Sequence, residues 1–243
     1  MTIQEVMTAL EKAGSAQTRK TYTRHGAPEP MFGVSFATLK TLYKRIKVDQ
    51  ELAEALWDTG NFDARNLATK IADPATISSQ QLDRWAATPN ARMCCGYVAH
   101  LAAEGPHGRA KAEKWLAATD DPTRSAAWPL VAALAMIDEA IEDSWFAERL
   151  AQIEKSIHAA PNMQRYLMNN ALISIGCRNA SLRKSAAAIA RRLGTIEVDH
   201  GDTDCKTPDA VASIEKAWAH SKSKGFESPA AHERSRESMR TRC

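Results

Sequence analysis

Three arginines of this chain, Arg124, Arg165 and Arg183, each stand before an apolar stripe at the same offsets, +3, +6, +7 and +10. The stripes are Ala127-Leu130-Val131-Leu134, Met168-Ala171-Leu172-Ile175 and Ala186-Ile189-Ala190-Leu193. At about 100° per residue, a guanidinium so placed lies about 70° from the centre of its buried face. That edge position has two readings. The stem can lie along apolar surface with the head in water, as in any helical protein. Alternatively, stacked helices of one register turn equivalent positions into a row of cations that suits phosphates. Arg124 has Trp128 one turn on. The indole either receives that guanidinium on its face or packs into a neighbouring helix beside Pro129. Arg65 sits about 110° from its stripe, and Arg92 nearly opposite its own, where plain solvent-facing charge explains it.

Other chemistry-bearing clusters are weaker. Asp199-His200-Gly201-Asp202-Thr203-Asp204-Cys205-Lys206 is dense in ligand types, but it lacks Asp at the third, Gly at the sixth and Glu at the twelfth position of a calcium loop. A Cys/His zinc pair there lacks two further ligands, so turn closure and capping of a following helix account for the acids, and no metal is expected. Arg19-Lys20-Thr21-Tyr22-Thr23-Arg24-His25-Gly26 interleaves basic and aromatic residues, with Lys44, Arg45 and Lys47 following. This is either solvated charge or a phosphate-facing surface. No nucleophile elbow or Gly-rich phosphate loop occurs, so hydrolase and nucleotide-cofactor chemistry have no support.

The elements that position these residues read as helices almost throughout. Narrow stripes recur at Ala64-Leu67-Ala68-Ile71 and Cys94-Tyr97-Val98-Leu101 as well as behind the arginines. Asp121-Pro122 and Thr207-Pro208-Asp209 carry helix-start chemistry, and Thr59-Gly60, Asp73-Pro74, Gly105-Pro106, Gly176 and Gly194 supply stops. An all-α chain of about a dozen helices in stacked antiparallel pairs follows.

Length and composition, 243 residues with 44% apolar and 25% charged, exclude collagenous or wholly disordered chains. No apolar run is long enough for a membrane span, and Glu5, Glu11 and Lys12 interrupt the stretch where a signal peptide would be, so a soluble cytoplasmic protein is expected. The five cysteines are expected as free thiols. The net charge of +3 hides a distribution: residues 1–48 carry +5, residues 49–218 carry −5 and residues 219–243 carry +3. The basic segment 221–243 has almost no apolar residue and is expected to be disordered, leaving one repeat domain over residues 1–220.

The succession FGVSFATLKTLYKRIK (32–47), LAEALWDTGNFDARNLATKIADP (52–74), RSAAWPLVAALA (124–135) and EVDHGDTDCKTPDA (197–210) resembles the AlkD-type DNA alkylation repair proteins, which include HEAT-like repeat alkylpurine DNA glycosylases. The resemblance covers about residues 20–218. It implies a right-handed α-α superhelix of antiparallel helix pairs whose concave basic face holds duplex DNA, with no cofactor and no membrane. In its active members a carboxylate and indole faces stabilise the sugar as a 3- or 7-alkylated purine leaves, and an arginine grips the backbone. Arg124 matches that arginine, and the family's recurring loop makes Lys206 a backbone-phosphate contact. The catalytic Trp-Asp-x-x-Asp segment falls on residues 90–102. There Ala91 stands for the Trp and Cys95 for the Asp, and only a shifted alignment would leave Asp83 or Asp120 to serve. Cys95 reads either as a small core residue, as a substrate-facing one or as a redox group. The expected function is duplex-DNA binding in alkylation repair through Arg124, Trp128, Arg165, Arg183 and Lys206, with excision in doubt. The alternative is a protein-binding helical scaffold.

Overall fold

The computed structural model describes residues 1–88 and 92–241, with residues 92–95 described by their backbone alone. Among the described residues the chain forms fourteen α-helices, two 3-10 turns and no strand. The helices are α1 (Ile3–Ala13), α2 (Ala16–Arg24), α3 (Phe36–Ile46), α4 (Gln50–Asp58), α5 (Phe62–Ile71), α6 (Ser79–Ala86), α7 (Arg92–Ala103) and α8 (Gly108–Leu116). They continue with α9 (Asp121–Ile137), α10 (Asp143–Ser156), α11 (Asn162–Gly176), α12 (Ala180–Leu193), α13 (Ala210–Ser223) and α14 (Pro229–Arg234). Among them no helix is long and apolar enough to cross a membrane. Where the sequence reading places one domain over residues 1–220, the structure has two compact units. One comprises 1–107, 118–126 and 237–243, the other 108–117 and 127–236.

The first unit is organised on α5. Asn61 caps it, accepting from the amides of Asp63 and Ala64 at 3.0 and 3.1 Å. The apolar stripe Ala64-Leu67-Ala68-Ile71 suggests one buried face, yet every residue of α5 except Arg65 is buried. The polar remainder is tolerated because it is bonded. The Asp63 carboxylate receives three backbone N–H groups, from Phe32 at 2.7 Å, Gly33 at 3.0 Å and Val34 at 2.9 Å, and so ties the 27–35 loop to the helix. The Lys70 ammonium donates to the Arg240 carbonyl at 2.8 Å and lies 4.2 Å from the centre of the Tyr97 ring. Alongside, the Trp57 and Trp85 rings stack at 4.4 Å with 9° between their planes.

The expectation that 221–243 is disordered does not hold for the described part of it, residues 221–241, where Arg240 is the anchor. Residues 229–234 form α14 and residues 239–241 a 3-10 turn in which Arg240 and Thr241 are buried. The Arg240 guanidinium donates to Glu104 at 2.9 Å, to the Thr69 carbonyl at 3.3 Å and to the Lys70 carbonyl, and Ser238 also binds Glu104. Composition counts apolar surface. This segment is ordered instead by charge-assisted bonds to carbonyls at the end of α5.

In the second unit Arg178, 8% exposed, closes the turn between α9 and α10. Its guanidinium donates to the carbonyls of Ala135 (3.2 Å), Asp138 (2.7 Å) and Ile141 (2.7 Å) and to the Asp143 carboxylate (3.3 Å), and lies over Phe146 at 4.5 Å. Gly176 admits close approach of α11 to α13, since a Cβ there would come within 2.6 Å of Ile214. Helix starts differ slightly from the sequence signals. The Asp120 carboxylate accepts from the Thr123 amide at 2.9 Å, one residue before the expected Asp121 cap, and Asp209 caps α13 through the Ala212 amide at 2.7 Å, two residues after Thr207.

Candidate nucleic-acid interface

Arg124 stands in the first turn of α9, exposed, and its guanidinium has no partner among the described residues. Directly before the helix, Asp120 is held below the usual carboxylate range, chiefly by the Thr123 side chain and then by the Thr123 amide. Its charge is thus spent on capping. Trp128 is 5% exposed, so its indole belongs to the core and its faces are closed to a base or a sugar.

Arg165 and Arg183 lie in the second unit and share their register but not their bonding. Arg165 donates through one η nitrogen to the Glu197 carbonyl at 2.9 Å, while its Nε is buried without a partner among the described residues. Arg183 ion-pairs with Glu215 of α13 and lies 4.7 Å over the Trp218 ring. The arginine-on-indole arrangement foreseen at Arg124 therefore exists at Arg183.

The loop 194–209 has no regular secondary structure and is seated on α11. The Asn162 side-chain amide pairs both ways with the Asp199 backbone, at 2.6 and 2.8 Å, and Asn169 donates to the Pro208 carbonyl at 2.9 Å. Tyr166 meets His200 edge-on at 5.5 Å, and the His200 Nε2 is 3.0 Å from the Thr207 hydroxyl. Asp199 accepts from the Gly201 amide at 2.8 Å and the Thr203 hydroxyl donates to the His200 carbonyl at 2.9 Å, so the polar residues that suggested a ligand cluster are closing turns. Lys206 is exposed on this loop. The seat itself was missed in the sequence, although Asn162, Arg165, Tyr166 and Asn169 form a polar stripe at helical spacing on the side of α11 away from Met168-Ala171-Leu172-Ile175.

Ala91, and Cys95 beyond its backbone, lie outside the described residues. Two other thiols are described. Cys177 is buried and its thiol is pushed up to about 12 by that burial, while Cys205 is exposed. At pH 8 an alkylating reagent is therefore expected to label Cys205 in the native protein and to reach Cys177 only after denaturation. Peptide mass spectrometry after timed alkylation reads this directly, and early labelling of Cys177 would contradict its placement.

Comparison with known proteins gives a consistent outcome. Residues 6–210 match the family described as DNA alkylation repair enzyme. The chain is 28% identical over 225 residues to the uncharacterized protein Lin0241 of Listeria innocua, covering 89% of this chain and 97% of that protein. It is likewise 28% identical over 224 residues to the uncharacterized protein Lmo0209 of Listeria monocytogenes, with the same coverage of 89% and 97%. A solved structure, from a new family of proteins related to the HEAT-like repeat DNA glycosylases with affinity for branched DNA structures, superposes with a TM-score of 0.82 at 33% identity, over 93% of this chain and 96% of that one. A match across most of the chain, in sequence and in helical architecture together, places it in one group: the chain belongs to the DNA alkylation repair enzyme family.

Proposed function

We propose that this protein binds duplex DNA through its phosphates and excises no base, with Arg124 as the principal contact and Arg165, Arg183 and Lys206 as further ones. The carrying observation is Arg124, an exposed guanidinium without a partner among the described residues, in a chain of this family. An arginine left unpaired beside an already committed carboxylate is available for a charge-assisted, bidentate grip on a phosphate. Arg165 of α11 donates to the Glu197 carbonyl of the seated loop, and Lys206 is exposed on that loop. Arg183 joins only by exchanging Glu215 for a phosphate, a change between two partners of like charge. Trp128 is left out of the contact set because its ring is buried.

Binding is expected to fall steeply between 50 and 200 mM salt, since each phosphate neutralised adds about 0.9 to the logarithmic slope. Arg124→Ala should weaken duplex binding by about 1.5–3 kcal/mol, tenfold or more. Fluorescence anisotropy with a labelled duplex at both salt concentrations measures both effects. The Arg183–Glu215 pair and the acidic stretch 49–218 favour a second reading, a protein-binding helical scaffold. Negligible duplex binding at either salt would decide for it.

A further inference from the structure

The outer face of α2 is engaged by none of the contacts described above. Only Tyr22 of its nine residues is buried. The Tyr22 hydroxyl donates to the Val34 carbonyl at 2.8 Å, and its ring lies 5.7 Å from Phe36 and 5.6 Å from Phe62. Away from that anchor, Ala16, Arg19, Lys20, Thr23 and Arg24 line an open groove of about 480 Å³, and all five are exposed. The helix contains no acid. Its nearest ion-pair partner, Glu29, takes Arg19 through Nε alone at 2.9 Å and also accepts from the Met31 amide at 2.9 Å. Both η nitrogens of Arg19, the Lys20 ammonium and the Arg24 guanidinium have no partner among the described residues. Glu29 is held below the usual carboxylate range, first by the Arg19 hydrogen bond, so the pair that orients Arg19 is intact at neutral pH.

The face is also held in place. The Ser15 amide donates to the Gly33 carbonyl at 3.1 Å. A Cβ on Gly33, whose φ is +79°, would come within 2.6 Å of the Arg19 nitrogen and the Ser15 carbonyl oxygen. Gly33 in turn donates to the buried Asp63 carboxylate. A bonded chain thus runs from the core helix α5 to the base of α2.

We infer that the outer face of α2 is a second phosphate-backbone contact for duplex DNA, carried by Arg19, Lys20 and Arg24. The inference rests on the DNA-binding reading above. The step from Arg19 to Arg24 spans about 7 Å of helix at 1.5 Å per residue. One strand of duplex places a phosphate about every 3.4 Å of axis, so the face neutralises about two. Ala16 and Thr23 are small and leave the groove open to the backbone, and nothing on this face reads base edges, so binding is independent of sequence.

The test uses the full chain and a linear duplex of arbitrary sequence, titrated from 50 to 200 mM salt. Three proteins are compared: the wild type, Lys20→Gln with Arg24→Gln, and a control, Lys222→Gln with Lys224→Gln, that removes the same charge from exposed positions of the second unit. The α2 variant is expected to bind on the order of tenfold more weakly at the lower salt, with the slope reduced by about 2, and the control to keep the wild-type slope. Wild-type behaviour of the α2 variant, or an equal loss in the control, overturns the α2 site while leaving DNA binding through Arg124 intact. A wild type that binds no duplex overturns both readings together. Because Lys20 and Arg24 are exposed and unbonded, an unchanged melting temperature checks that the variant is folded.

Discussion

Incubated with duplex DNA carrying 7-methylguanine, the protein is expected to release no base above the spontaneous rate. Departure of an alkylated purine leaves positive charge on the sugar, and the family's route meets it with a carboxylate and an indole. On the proposed reading, in which the resemblance aligns Cys95 and Ala91 with those two groups, this chain supplies neither a carboxylate nor an indole there. Asp120, one of the acids that a shifted alignment would offer, is engaged as the cap of α9. A modest electrostatic contribution of about 3 kcal/mol corresponds to more than a hundredfold in rate. Cys95→Asp in the Ala91→Trp background is therefore expected to exceed the wild type by about that factor, measured as free base by chromatography of the supernatant. Robust release by the wild type would mean that another carboxylate serves, and the non-excising reading would have to be abandoned.

The largest stability effect is expected at Arg178. Its replacement by alanine removes the donors from the carbonyls of Ala135, Asp138 and Ile141, strips Asp143 of its cation and leaves a void over Phe146. Each buried acceptor left unbonded costs about 1–3 kcal/mol, with heavy overlap among the carbonyls, while the half-exposed Asp143 adds little. Arg178→Ala should therefore lose about 3–5 kcal/mol in urea unfolding. Arg178→Lys should recover little, because one ammonium cannot serve a fork of carbonyls on both sides. Arg183→Ala, which breaks a largely exposed pair, is expected to change stability by about 1 kcal/mol or less. A denaturation midpoint for Arg178→Ala within error of the wild type would show that water replaces the guanidinium at no cost.

Helix existence was legible in the sequence wherever a narrow apolar stripe meets a stop residue. Ala127, Leu130, Val131 and Leu134 of α9, and Met168, Ala171, Leu172 and Ile175 of α11, are all buried, as their spacing requires. Gly194 ends α12 with φ at +66°. Helix surroundings were less legible. α5 has polar residues at Asp63, Asn66, Thr69 and Lys70, and periodicity assigns such positions to solvent. Their burial depends on partners far along the chain, such as Phe32 and Arg240, which a local pattern does not contain. The same limit applies to the candidate site. The shared offset of Arg124, Arg165 and Arg183 describes their angle to the core, whereas Glu215, Trp218 and Glu197 decide what each guanidinium touches. Segment 221–241 was misread for a related reason, because its order comes from carbonyl acceptors on other helices and not from its own composition.

The bond between Lys70 and the Arg240 carbonyl joins positions 170 residues apart, and this has a consequence for the nascent protein. A ribosome that adds about 5–20 residues per second delivers Arg240 roughly 9–34 s after Lys70. By the end of that interval the other helices of the first unit have been made, whereas the bonds from Arg240 to the Lys70 carbonyl and the Glu104 carboxylate cannot form until Arg240 itself emerges. A polypeptide stalled before position 237 is thus expected to leave the end of α5 without the turn that closes it, and to be more open to proteolysis there than the finished chain.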